Sequence, residues 1–179
     1  MEKEFLNLQN SNELFDFMMK NIKYGWLGND NQLRINTIED LKEKYMLSSV
    51  QEILDTGYGI CFDQVELERE FFQRKGFNIE TYAIFNNHMI HTFLTYEDNN
   101  VYVKFEHSSS KCRGIFEYSN MNDLLNAEIN SFMARHNINK VNKLKLIKYS
   151  KLNEHCSIED IKNNFTNVKE NLIGIYKKI

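Results

Sequence analysis

The spacing of apolar residues changes character at Gly76. Before it, Leu14, Phe15, Met18, Met19 and Ile22 recur at helical intervals, and Val65, Phe71 and Phe72 are the core candidates of a second helical stretch. After it, residues 79–85, 89–96 and 101–107 are short runs rich in β-branched and aromatic side chains. Helical signals then return. Asn120 or Asn122 can cap a helix carrying Leu124, Leu125, Ile129, Phe132 and Met133. Residues 143–149 alternate charged and apolar like an edge strand, and Ser157 opens a last helix over about 158–172. Helices, strands, helix, strand, helix is the order of an α+β fold on a mainly antiparallel sheet.

Smaller signals punctuate the first third. Ser11 or Asn12 caps the first helix, which ends before Gly25. Residues 37–40 open a second, with Leu41 and Tyr45 on one side. Ser48 with Gln51 fits a capping box for a third, ending near Leu54.

At 179 residues, 42% hydrophobic and 26% charged, the chain suits one globular domain. Proline is absent, where about 5% usage predicts roughly nine. The net charge of -3 conceals an asymmetry. Residues 1–129 carry 12 basic and 21 acidic side chains, residues 130–179 carry 10 and 4, and the C-terminal lysines are dispersed. A dispersed charge reads as a solvated surface, not a nucleic-acid footprint. No apolar run is long enough for a membrane span, and Met1-Glu2-Lys3-Glu4 lacks the basic start of a signal peptide. Cys61, Cys112 and Cys156 have no paired spacing, which argues against a disulfide framework and against zinc. The expectation is a cytoplasmic protein that requires no metal or organic cofactor, contacts neither nucleic acid nor membrane, and has an oligomeric state the sequence does not encode.

One segment carries chemistry. Gly57-Tyr58-Gly59-Ile60 forms a turn in front of a helix expected over about 61–75, with Cys61 at its start and Gly76 as its stop. The positive end of a helix stabilises a thiolate, and its free N–H groups can hold an oxyanion. Position alone is equally compatible with an inert buried thiol. A hairpin adds a base and an acid. With an even loop centred between Asp98 and Asn99, paired positions sum to 197 and Glu106 lies directly across from His91. A loop built on Asn99-Asn100 would set Ser108 there instead. A carboxylate beside an imidazole fixes its tautomer and stabilises the imidazolium.

Gly57-Tyr58-Gly59-Ile60-Cys61-Phe62-Asp63-Gln64, His91-Thr92-Phe93-Leu94 and the strand ending at Glu106 together resemble the transglutaminase-like superfamily. Asn21-Ile22-Lys23-Tyr24 resembles its lead-in. Segments 63–69, 91–94, 105–108 and 113–115 resemble a small bacterial branch of it. The resemblance spans about residues 12–135 of a single domain 1–179, leaving 136–179 as a C-terminal strand and helix. It implies a papain-like fold, with the nucleophile helix packed on an antiparallel sheet. In it Cys61 is the nucleophile, His91 the base and then acid, and Glu106 the orienter. Glu106 stands where the superfamily usually has Asp, and Phe62 where it has Trp. Tyr58 and Gln64 are candidates for oxyanion or substrate contacts.

Other residues have plainer readings. Asp63 is a helix-dipole partner, Glu66, Glu68 and Glu70 are solvated or ion-paired, and Trp26 is core. His88 can flank the site, while His136 and His155 read as surface or satisfied histidines. Arg113 is either a surface ion pair or a contact to a substrate carboxylate. The chemistry expected is acyl transfer from an amide in a peptide, protein or small molecule, as a peptidase or amidase. The alternatives are a protein-crosslinking transglutaminase and a papain-like binding or regulatory module without catalysis. Arylamine acetyl transfer would need a coenzyme A site that the sequence does not display.

Overall fold

Local signals fix where each helix begins. In the computed structural model, which describes residues 1–173, helices α1 (Glu2–Asn7) and α2 (Ser11–Asn21) come first, and Asn10 caps α2 by accepting the Glu13 amide. A two-stranded ribbon, β1 (Gly25–Leu27) with β2 (Leu33–Ile35), precedes the single-turn α3 (Leu41–Lys44). Helix α4 (Val50–Thr56) starts with a capping box made by Ser49 and Glu52, one residue beyond the expected Ser48 and Gln51. The Ser48 amide is committed elsewhere, to the Asp63 carboxylate. Helix α5 (Cys61–Arg74) follows, and Gly76 at φ +82 ends its last turn.

The main sheet is antiparallel throughout, in the order β6-β5-β4-β3-β7. Its strands are β3 (Ile79–Phe85), β4 (Ile90–Asp98), β5 (Val101–Glu106), β6 (Gly114–Tyr118) and β7 (Lys145–Tyr149). Helix α6 (Met121–Arg135) lies between β6 and β7 in sequence, and α7 (Ile158–Thr166) comes last. The fold is α+β. Helix α7 is shorter than the sequence pattern implies: after Thr166 the chain turns, and the Leu172 amide bonds the Leu146 carbonyl, adding Leu172 and Ile173 to the core. Strands β1, β2 and β6 were not expected. The first two have only three residues each, and β6 is half-buried along its length.

Each side of the sheet has its own core. Leu94, Tyr96 and Phe105 pack with Val65, Leu67, Phe71 and Phe72 of α5. Tyr82, Ile84 and Phe93 pack with Leu124, Leu125, Ile129 and Phe132 of α6. Helix α5 is therefore enclosed, and every residue from Cys61 to Arg69 is buried. That enclosure overrides the expectation of solvated glutamates. Glu66 pairs with Arg69 at 2.9 Å, and burial pushes Glu68 well above the usual carboxyl range. Trp26 is fully buried, its indole N–H donating to the Thr37 carbonyl at 2.9 Å. Among the described residues no helix is long and apolar enough to cross a membrane.

Candidate functional site

The turn before Cys61 is held from outside. The Lys23 amide donates to the Gly57 carbonyl at 2.8 Å, and the Gly59 amide donates to the Lys23 carbonyl at 3.1 Å. Gly57 has φ +73, a left-handed conformation that costs a side-chain-bearing residue about 1–2 kcal/mol. A Cβ on Gly59 would stand 2.8 Å from the Asp63 Cβ. Asp63 then ties down the helix start. Its carboxylate accepts the Ile60 amide at 2.8 Å, the Ser48 amide at 2.9 Å and the Tyr45 hydroxyl at 3.1 Å. Burial pushes Asp63 up to about 7 against those three bonds. Its role is to fix the first turn of α5, so that the Cys61 amide is left without a partner inside the helix.

His91, near the start of β4, and Glu106, at the end of β5, meet at 2.7 Å from Nε2 to Oε2. They are not directly opposed. The β4–β5 ladder runs from Leu94↔Phe105 to Asp98↔Val101, with Asn99 and Asn100 at φ 50 and φ 64 as a two-residue turn. This is the register of the alternative loop, displaced by two residues from the 197 pairing. Two residues is the side-chain period of a strand, so the displacement keeps Glu106 on the same face as His91. The contact is diagonal, a step of about 7–8 Å between strands. A glutamate, one methylene longer than aspartate, bridges it.

The other carboxylate oxygen of Glu106 accepts the Ser109 amide at 2.9 Å and the Ser108 hydroxyl at 3.1 Å. Burial alone would raise Glu106, but the charge and hydrogen bond of His91, with Lys104 and the Ser109 amide, hold it at about 2. Burial disfavours the His91 imidazolium, yet the charge of Glu106, with Cys61 nearby, raises its pKa well above the usual histidine range. With Nε2 bound to Glu106, the nitrogen left for the Cys61 thiol is Nδ1. Cys61 and His91 line the same cleft, and Glu106 is bonded to His91 from behind.

Cys61 and His91 open into a cleft of about 710 Å³. The lining includes Met19, Ile35 and Ile38, three of the seven large apolar side chains exposed among the described residues. Arg113 lines the cleft, with Nε donating to the His107 carbonyl at 2.5 Å. Two sequence candidates lie elsewhere. Gln64 is fully buried, its amide N–H donating to the Gly59 carbonyl and its oxygen accepting His107 Nδ1, both at 2.7 Å. It does not line the cleft. Tyr58 is outside the cleft: its backbone bridges Lys23 and its ring covers Gly25, where a Cβ would come within 2.8 Å. His88 is exposed and also outside the cleft lining.

Residues not singled out as site candidates also line the cleft. Tyr24 lines the cleft, and burial and then the Cys61 charge raise its phenol. Arg135 near the end of α6 donates to the Ser109 hydroxyl at 2.7 Å and to Glu128 at 2.6 Å, and Glu128 also binds Lys104 at 2.5 Å. This buried bridge fastens α6 to the loop that supports Glu106. His136, read from sequence as a surface or satisfied histidine, is half-buried and lines the cleft beside Arg135. These residues come from α6 and the chain before β1, and only the packing of helices on the sheet brings them here. Among the described residues no group of three or more His, Cys, Asp or Glu side chains is arranged to hold a metal ion.

No protein-family model matches this sequence, and no curated protein matches it.

Proposed function

We propose that this protein is a cysteine-dependent acyl-transfer enzyme of papain-like, transglutaminase-like type, acting as a peptidase or amidase. The observation that carries the reading is that Cys61, at a helix start, and His91 line one cleft, with the 2.7 Å His91–Glu106 bond behind the imidazole. In this reading His91 takes the thiol proton and the sulfur attacks the amide carbonyl carbon, forming a C–S bond. The amides at the start of α5 hold the oxyanion. His91 then gives its proton to the departing nitrogen as the C–N bond breaks. Water, deprotonated by His91, cleaves the thioester and releases the acid. Were an amine the acceptor instead, the product would be a new amide, the crosslinking alternative. A cytoplasmic location accords with three free thiols.

The test begins with the thiol. Iodoacetamide should modify Cys61 faster than Cys112, and much faster than Cys156, whose thiol burial pushes up to about 11. His91→Ala should slow Cys61 selectively. A peptide and amide library should then give free acid in a turnover that Cys61→Ala abolishes, and incorporation of an amine donor would identify transfer. Cys61 modified no faster than Cys112, with no response to His91→Ala, would overturn the proposal in favour of a binding module.

A further inference from the structure

The cleft has a sign of charge that the molecule does not. The chain is acidic overall, at -3. Yet among the described residues the cleft lining includes Lys23, Lys111, Arg113 and Arg135 and no Asp or Glu. Glu106 is only 2% exposed and points its oxygens at His91 and the 108–109 backbone and hydroxyl. Of the four cations Arg135 is paired, with Glu128. Lys23, Lys111 and Arg113 have no carboxylate within ion-pair distance among the described residues, which also removes the surface ion pair expected for Arg113.

Arg113 is the most specific of them. It is half-buried, and its Nε is spent on the His107 carbonyl at 2.5 Å, which fixes the plane of the guanidinium. Its two Nη groups make no hydrogen bond with a described residue. A fixed guanidinium with two free N–H groups is the fork that binds two oxygens of one anion. Unbalanced cations in a concave site also concentrate anions there.

We propose that the substrate is an amide carrying an anionic oxygen group, carboxylate or phosphate, which Arg113 grips while Lys111 and Lys23 add attraction. This rests on the acyl-transfer reading of the same cleft, and it assigns Arg113 to substrate recognition, not to the chemical step.

Two alkylating agents of nearly equal size separate the two ideas. Neutral iodoacetamide reports on the Cys61–His91 pair, and the ratio of iodoacetate to iodoacetamide rates reports on cations in the cleft. Rates are followed on the Cys61 peptide by mass spectrometry. Arg113→Gln should lower that ratio about fivefold, the order expected of one partly exposed charge, and leave the iodoacetamide rate unchanged. Lys42→Gln, outside the cleft lining, should alter neither. Added salt should lower the wild-type ratio and have little effect in the variant. Protection of Cys61 from iodoacetamide by succinate identifies a carboxylate site, and protection by inorganic phosphate a phosphate site. In both cases the protection should vanish in Arg113→Gln. A ratio indifferent to Arg113→Gln, with no protection by either anion, overturns this inference and leaves the acyl-transfer reading intact. A slow iodoacetamide reaction in the wild type is instead the failure of that reading.

Discussion

Replacing Glu106 by Gln isolates the charge that sits behind His91. In the folded protein the Glu106 carboxyl is lowered from 4.5 to about 2: burial works against the ionised form, and His91, Lys104 and the Ser109 amide outweigh it. At about 1.4 kcal/mol per pH unit, that drop corresponds to about 3 kcal/mol of folding stability. A carboxyl depressed in the folded state contributes fully above its unfolded value and loses that contribution as pH falls. The gain is therefore complete above pH 4.5 and fades toward pH 2. Glu106→Gln removes the linkage, so wild type and variant should differ by about 2 kcal/mol more at pH 7 than at pH 3. Urea unfolding at pH 7, 5, 4 and 3 measures the gap. Histidine NMR supplies a second readout. Burial lowers His91 and Glu106 raises it, so the variant should titrate at lower pH than the wild type. A stability gap that is the same at pH 3 and pH 7, or a His91 titration unmoved by the substitution, would refute the reasoning.

Two further outcomes concern the scaffold. Glu128→Gln leaves Lys104 charged and buried between β5 and α6, and should cost about 3–5 kcal/mol in urea unfolding, with most of it restored when Lys104→Met is added. Asn99→Ala and Asn100→Ala each force a side chain other than Asn or Gly into a left-handed turn position, and each should lower stability by about 1 kcal/mol in thermal unfolding.

The sequence was most legible where a local rule acts alone. Gly76 ends α5, Ser157 caps α7, and residues 79–85 form β3 as their composition implies. Cys61 at a helix start was readable for the same reason. The hairpin shows where such rules stop. Both Asp98–Asn99 and Asn99–Asn100 are turn-forming pairs, and only the left-handed tolerance of two asparagines selects the second. Because the two registers differ by one side-chain period, Glu106 still met His91. Gln64 could not be placed from sequence, since its burial depends on His107 arriving from 43 residues away. The cationic lining was equally hidden. Lys23, Lys111 and Arg135 have no common motif and share a surface only after α6 and the start of β1 close over the sheet edge.

The two hydrogen bonds that join Lys23 with Gly57 and Gly59 have a consequence for how much of the chain the placing of Cys61 needs. The turn before it is held by main-chain atoms of Lys23, thirty-eight positions upstream. A shortened protein beginning at β1 would retain sulfur, imidazole and carboxylate and lose the brace that aims the first of them. In the proposed enzyme the segment between α2 and β1 therefore belongs with the site, through its main chain.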